Sequence, residues 1–252
     1  MSLFSLQGYV NIAPILADGA IGPMRWLGNV PEATLNLGAE SVDKTESYSG
    51  KRLQLGRLTT GITASLNITM DEWSASNLAL AFQASVADIA AAAVTAEQFP
   101  DALVAGDLVR LDHPFASGLV ISDSTAGTPL ILPTSNYSLE GHGANRVRIL
   151  DPGALVQPFS AAYSYEAAKN VALFSQLGVP VYLQFDGINT ETNEPVLLEL
   201  WRTRFDPASE VGLINAEYGN LPLAGAVLYD PTKDADPLLG GFGRLLQKAT
   251  GA

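Results

Sequence analysis

The clearest pattern of apolar and polar positions in the chain predicts two strands joined by a polar loop. The first strand, Val181–Phe185, alternates apolar with polar side chains, as a strand with two different faces does. The second strand, Pro195–Phe205, carries apolar residues on both faces. The connecting loop, Asp186–Glu194, is rich in Gly, Asn, Asp and Thr, which accept turn geometry. We therefore expect the second strand to be covered on two sides, by a core and by something else.

Strict period-two alternation assigns the side chains of the second strand to two faces. Leu198 and Leu200 then share one face with Arg202 and Arg204. The opposite face is predicted to carry Leu197, Glu199, Trp201 and Phe205.

The rest of the chain is predicted to be mostly short strands with one flanking helix. Ser74–Ala84 is the best helix, because acceptor side chains precede it and Leu78 and Phe82 lie four residues apart on one face. Val86–Phe99 fits either a helix or an extended segment. The tail Phe242–Ala249 fits a short helix or a docking arm. Further strands are predicted at Thr34–Ala39, Leu53–Leu58, Ile62–Met70, Leu108–Asp112, Leu119–Ser122, Leu130–Pro133, Tyr137–Glu140, Arg146–Leu150, Leu213–Ile214 and Leu221–Tyr229.

One long polar segment, Glu40–Arg52, has no buried face of its own. It carries both charge signs, which is typical of a solvated or self-complementary contact surface. We expect it to be a loop.

Composition narrows the classes of function. Charged residues make up only 16% of the chain, which favours a surface with partners. The formal net charge is −12 and no basic patch stands out, so a tight grip on nucleic acid phosphates is not expected. The chain has no cysteine, which excludes disulfides and thiolate sites. The N-terminus lacks the features of a signal peptide and the apolar run Ile89–Val94 is too short to span a membrane, so we expect assembly in the cytoplasm without a membrane partner.

The search for catalytic or metal-binding chemistry returns no candidate. His113 and His142 both fall in predicted turns, and nothing ties them together. The acids of Asp186–Glu194 do not match the spacing of a calcium loop. We expect no enzyme activity, no cofactor and no metal, and a hydrolase with an atypical site carries the least weight.

Several stretches, in this order and spacing, resemble one known family. They are Arg25–Glu32 (RWLGNVPE), Lys44–Lys51 (KTESYSGK), Asn77–Ala81 (NLALA), Val181–Pro207 (VYLQFDGINTETNEPVLLELWRTRFDP) and Leu213–Pro231 (LINAEYGNLPLAGAVLYDP). Together they are similar to the major tail proteins, or tail tube proteins, of long-tailed bacteriophages with non-contractile tails. Residues 102–150 match least well.

This resemblance implies a mainly β fold, a β-sandwich or barrel with one flanking α-helix at about 74–84 and extended loops and arms. Residues 1–252 would form a single tail-tube domain, with 102–150 either part of the sandwich or a β-rich insertion. Six copies would form a ring, and stacked rings would form a hollow tube that encloses the tape-measure protein and later conducts DNA without specific binding. Other implied partners are the tail terminator and the tail-tip or distal tail proteins, and the implied location is the virion.

The resemblance also suggests two sets of contact residues. The inter-ring loop would use Asp43, Lys44, Glu46, Tyr48, Lys51 and Arg52. The wall shared between subunits would use the hairpin residues Asp186, Glu191, Glu194, Trp201, Arg202 and Arg204. A second hypothesis is a carbohydrate- or receptor-binding β-sandwich of a tail tip or surface adhesin, which would need exposed aromatic residues clustered on loops.

Overall fold

The structure is a computed structural model that describes residues 3–248. It is 48% strand and 6% helical, which confirms the predicted mainly β fold. In chain order the first elements are β1 (Leu6–Pro14), β2 (Arg25–Trp26), β3 (Glu32–Thr45), β4 (Gln54–Met70), α1 (Ala75–Ala81), β5 (Ser85–Ile89), β6 (Ala92–Gln98), β7 (Leu108–Arg110), β8 (Ala116–Ser122) and β9 (Tyr137–Glu140). The later elements are β10 (Arg146–Ile149), β11 (Ser160–Tyr165), β12 (Ala168–Ala172), β13 (Val181–Asn189), β14 (Glu194–Phe205), β15 (Leu221–Val227), α2 (Pro231–Asp234) and β16 (Gly243–Gln247), with a 3₁₀ turn at Thr134–Asn136.

The described chain divides into two compact units. The first contains residues 3–86 and 171–248, and the second contains residues 87–170. The region 102–150, singled out in the sequence, lies within the second unit.

An eight-stranded antiparallel sheet forms the first unit, in the order β2-β1-β13-β14-β15-β4-β3, with β16 added beside β14. One face of this sheet packs with α1 on an apolar core. Strand β15 shows the expected alternation, because Leu221, Leu223 and Val227 are buried while Ala224 and Ala226 are exposed. The most buried core residues include Leu27, Ile68, Met70, Ala81, Leu183 and Leu221.

The predicted helix is confirmed, but it is shorter than the pattern indicates. Ser74 caps its first turn by accepting a hydrogen bond from the Asn77 backbone N–H at 3.2 Å. The helix ends at Ala81, three residues early, because Gln83 adopts a positive φ of 49° that an α-helix does not allow. Asn77 is buried and donates to the Leu27 carbonyl at 2.8 Å, which ties α1 to the segment after β2.

Strand β14 departs from strict alternation through a β-bulge. The pairing runs from Leu183↔Leu200 to Val181↔Thr203, so β14 has one residue more than β13 between these pairs. Phe205 therefore joins Leu200 in the core instead of sharing a face with Trp201, which corrects the predicted assignment.

The C-terminal segment is neither a helix nor free. β16 pairs antiparallel with β14, from Val196↔Gln247 to Leu200↔Gly243. Gly243 permits this pairing, because a Cβ at that position would collide with the Glu199 carbonyl oxygen. The helix alternative is therefore wrong for residues 243–247, which extend the sheet of their own chain, and Ala249 lies outside the described residues.

The second unit contains two three-stranded antiparallel sheets, β7-β10-β9 and β6-β11-β8. Its core is built around Phe159, Leu111, Ile121, Val147 and Ile149, all fully buried. The ambiguous segment Val86–Phe99 forms β5 and β6 rather than a helix. Leu130–Pro133 forms only one isolated bridge, Ser122↔Ile131, and in the first unit Leu213–Ile214 forms a loop, so both strand predictions are wrong.

Candidate assembly surface

The most distinctive feature of the first unit is a long two-stranded arm formed by β3 and β4. β15 pairs with β4 only from Ala64 to Met70, whereas β3 continues to pair with β4 as far as Thr45↔Gln54. The part of β4 beyond β15 is Gln54–Thr63, which spans roughly 33 Å at the usual rise of a strand. None of these residues is buried, and none of β3 is either.

The arm carries apolar side chains on both of its faces. Val42 pairs with Leu58, and their exposed fractions are 61% and 68%. Leu37 lies at an odd-numbered position of β3 and therefore on the opposite face, where Ala39 pairs with the exposed Ile62. An isolated hairpin is at best marginally stable in water, so an arm with two apolar faces favours burial against a partner.

Glu46 organises the tip of the arm. Its side chain is only 4% exposed, and its carboxylate accepts hydrogen bonds from the backbone N–H groups of Tyr48 at 3.0 Å and Ser49 at 2.7 Å. The Ser49 hydroxyl and the Leu53 backbone N–H also donate to it. Hydrogen bonds from Ser49, above all from its hydroxyl, lower the pKa of the Glu46 carboxyl to about 2.

The predicted loop Glu40–Arg52 is correct for residues 46–52, whereas residues 40–45 belong to β3. Asp43 and Lys44 belong to β3, where Asp43 pairs with Arg57 and their side chains form an exposed ion pair at 3.5 Å. A strand that faces solvent on both sides needs no apolar alternation, which is why its polar residues looked like a loop. Of the six predicted loop residues, Tyr48, Lys51 and Arg52 lie at the exposed tip beside Glu46, whose side chain is buried there.

A second cluster covers the outer face of β14. Trp201 is 6% exposed, stacks on Tyr182 with a centroid separation of 6.2 Å, and donates its Nε1–H to the Gly240 carbonyl at 2.8 Å. Lys233 Nζ lies 5.4 Å from its ring centroid. The sequence predicted two covers for this strand, and the second one is the chain's own C-terminal segment.

An ion pair holds this segment at the edge of β14. Arg244 of β16 donates to Glu199 at 2.6 Å, and the Tyr182 hydroxyl donates to the other oxygen of Glu199, also at 2.6 Å. Burial, together with the hydrogen bond to Glu199, raises the pKa of the Tyr182 hydroxyl. The aromatic rings of Trp201 and Tyr182 and the charges of Lys233, Arg244 and Glu199 thus all have partners within the first unit, and these contacts hold the C-terminal segment against β14.

The structure does not bring the other predicted hairpin residues together at one end of the hairpin. Asp186 lies within β13, paired with Leu197, whereas only residues 190–193 form the turn that contains Glu191. Glu194 begins β14 and accepts a hydrogen bond from the Thr192 hydroxyl at 3.3 Å. Arg202 lies within the β-bulge and Arg204 follows it, and neither belongs to the core cluster.

Catalytic and metal sites do not emerge from the described part of the chain. His113 stacks on Tyr165 with ring centroids 4.1 Å apart, and His142 lies in a turn. Residues 3–248 contain no group of three or more His, Asp or Glu side chains that could hold a metal ion. No helix within the same range is long and apolar enough to cross a membrane.

Reasoning from the sequence missed the exposed apolar pairs of the arm, Val42–Leu58 and Ala39–Ile62. The available signal was the recurrence of apolar residues beyond Ala39 on both sides of the tip. It becomes readable only when the register is known, because bulges opposite Glu40–Ser41 and Lys44–Thr45 shift the faces.

The sequence of the chain matches the model of one protein family over nearly its whole length. The chain belongs to the family described as "Protein of unknown function UCP028589", whose model matches residues 3–246. No curated protein is a significant match.

Proposed function

We propose that this protein is the subunit of a phage tail tube, a structural protein that assembles into stacked, hexameric rings. The observation that carries the proposal is the outer part of the β3–β4 arm, where Gln54–Thr63 of β4 and the facing part of β3 expose apolar side chains on two faces and contain no buried residue. The resemblance of several stretches to major tail proteins supplies the kind of assembly.

Open sheet edges support a ring of identical subunits. The outer edge of β3 has no partner strand among residues 3–248, over its whole length from Glu32 to Thr45. At the other end of the sheet, β2 pairs with only Asn11 and Ile12, so β1 is open from Leu6 to Tyr9. Pairing of β3 in one copy with β1 in the next would satisfy both edges and close a ring.

One face of the sheet suits the wall of a conduit. Where β4 pairs with β15, the residues of β3, β4 and β15 opposite the core are small or polar, and the register aligns Thr34 with Asn67 and Ala224. Asn36, Ser65 and Ala226 form the next row. None of these six residues is cationic, although Arg204 lies beside Ala226 on the neighbouring strand β14. The two rows themselves would offer no counter-charge to phosphates, which favours passage of DNA without sticking.

In this proposal the arm contacts the adjacent ring, and the tube encloses a tape-measure protein before it conducts DNA. The ends of the tube would meet a terminator protein and the tail-tip proteins. The subunits would assemble in the host cytoplasm and reside in the virion.

The test is a charge substitution on the arm. Val42→Asp with Leu58→Asp places two carboxylates on one face of the arm, at positions that are already 61% and 68% exposed. We expect a folded monomer that forms no tubes by electron microscopy. Leu238→Asp, at a position 79% exposed and away from the arm in sequence, is the matched control and should still assemble. Tubes of normal length from the double variant would show that this face of the arm is not needed for assembly.

A further inference from the structure

A groove beside α1 is an unfilled apolar site in the first unit. It is lined by the helix residues Ala79 and Leu80 and, across from them, by Val179, Val181 and Phe205. Its volume is about 180 Å³. Since an apolar cavity of about 150 Å³ can hold a benzene molecule, the groove has room for one large aliphatic or aromatic side chain.

The groove is held in shape by Gln83. Its side chain donates to the Phe205 carbonyl at 2.8 Å and accepts from the Gly178 backbone N–H at 3.2 Å. The Gln83 backbone carbonyl also accepts from the Gln176 N–H at 2.9 Å. These bonds fix the segment 174–178 against the end of α1, so the groove is preformed.

The chain segment that leads into the groove at Gln176, Gly178 and Val179 exposes further apolar side chains. Leu173, Phe174, Leu177 and Val179 are 57–64% exposed, which is a dense apolar stretch for a surface segment. Phe174 has a positive φ of 55°, a strained conformation for an aromatic residue. Backbone strain at an exposed apolar residue is the kind of feature that accompanies binding surfaces.

One guanidinium group lines the groove, and a second lies beside Gly178 at its wall. Arg25 lines it and uses two of its five N–H donors on the Asn77 side chain at 2.7 Å and the Ser76 carbonyl at 3.1 Å. Burial lowers the pKa of the Arg25 guanidinium, an effect that nearby Glu72 partly opposes. The Arg204 guanidinium lies over Gly178, where a Cβ would come within 2.6 Å of its Nη2.

The loop 206–220 of the same unit has the opposite character. It contains Asp206, Glu210 and Glu217 and no Lys or Arg. Ala208 and Val211 pack on the core, but three larger side chains of the loop are uncovered: Leu213 is 82% exposed, Ile214 is 98% exposed and Tyr218 is fully exposed. These exposures show that the loop does not fill the groove of its own subunit.

We propose that the acidic loop 206–220 of one copy docks on the groove beside α1 of a second copy, with Ile214 entering the groove. The acids then face Arg25 and Arg204, so charge complementarity sets the orientation while the apolar contact supplies the free energy. Because loop and groove are different surfaces, the contact is head-to-tail and repeats around a ring. The inference rests on the proposed assembly and names one of its contacts.

The absence of cysteine allows a direct test by disulfide cross-linking. Ile214→Cys and Val179→Cys are made singly and together, and assembled protein is oxidised and separated on a non-reducing gel. We expect a ladder of covalent oligomers from the double variant and only dimers from a mixture of the two single variants. The pair Ile214→Cys with Leu238→Cys is the control and should give no ladder.

An internal disulfide in a monomeric double variant, or equal yields from the control pair, would overturn the proposal. As a second measurement, Leu213→Ser with Ile214→Ser should raise the critical concentration for assembly about tenfold or more, whereas Leu238→Ser should not. If wild-type tubes form and neither effect is seen, the docking is wrong and the tail-tube function stands. If the wild type forms no tubes at all, both proposals fall.

Discussion

Replacing Trp201 with alanine tests whether the C-terminal segment is a structural cover of β14. Trp201 is the buried member of the chain's 3 tryptophans, since Trp26 and Trp73 are more than half exposed. A buried aromatic side chain removes about 150–250 Å² from water, which at about 25 cal/mol per Å² corresponds to roughly 4–6 kcal/mol. The change also leaves the Gly240 carbonyl without its donor and removes the ring beneath Lys233.

We expect Trp201→Ala to lower the free energy of unfolding of the first unit by about 3–5 kcal/mol, the range found for large-to-small aromatic changes. The assay is urea unfolding followed by far-ultraviolet circular dichroism. Trp201→Phe is the matched control, because it keeps a ring against Tyr182 but loses the bond to Gly240, and it should cost about 1–2 kcal/mol. If Trp201→Ala lowers the free energy of unfolding by less than about 1 kcal/mol, this ring does not anchor the C-terminal segment.

Three other changes test individual contacts. Ser74→Ala should destabilise the first unit by about 1 kcal/mol in the same unfolding assay, because α1 loses its N-cap, while a neutral effect would contradict that role. Glu46→Gln should speed hydrogen exchange of the Tyr48 and Ser49 amides. In the wild type the pKa of Glu46 falls from 4.5 to about 2, so the protection should be complete above pH 4.5, decline as pH falls through about 2, and be absent from the variant. Burial and the hydrogen bond to Glu97 raise the pKa of Tyr163 from 10.0 to about 12. The stabilising contribution of Tyr163 should therefore be full below pH 10 and lost as pH rises through about 12. Tyr163→Phe should remove the step near pH 12 from an ultraviolet titration, and an unchanged titration would argue against the contact.

Much of the mainly β architecture could be predicted because the strands around the core follow simple periodicity. Val181–Phe185 and Leu221–Tyr229 were located within a few residues, since alternate positions face the core. The β-bulge in β14 has no signature in the sequence, so strict alternation predicts the wrong face for Phe205. One inserted residue reverses every later side chain, and only the register reveals it.

The arm and its tip could be predicted only in part from the sequence. The sequence predicts β3 only to Ala39, because the alternation of Leu35, Leu37 and Ala39 gives way there to a polar stretch, although no residue of β3 is buried on either side of that point. The buried state of Glu46 could not be foreseen either, since its partners are mostly backbone N–H groups that every sequence has. The apolar pair Leu213–Ile214 looked like a strand, yet it lies exposed in a loop and thereby exposes a candidate contact.

Electron microscopy of the purified protein shows directly whether it assembles into stacked rings. Six subunits of ordinary domain radius around a channel wide enough for DNA predict rings or tubes roughly 80–100 Å across. We expect such particles from the wild type, and none from a variant lacking Asp43–Gly50, which should remain a folded monomer because those residues lie beyond the core. Wild-type protein that stays monomeric, alone and with the other tail proteins, would contradict the account.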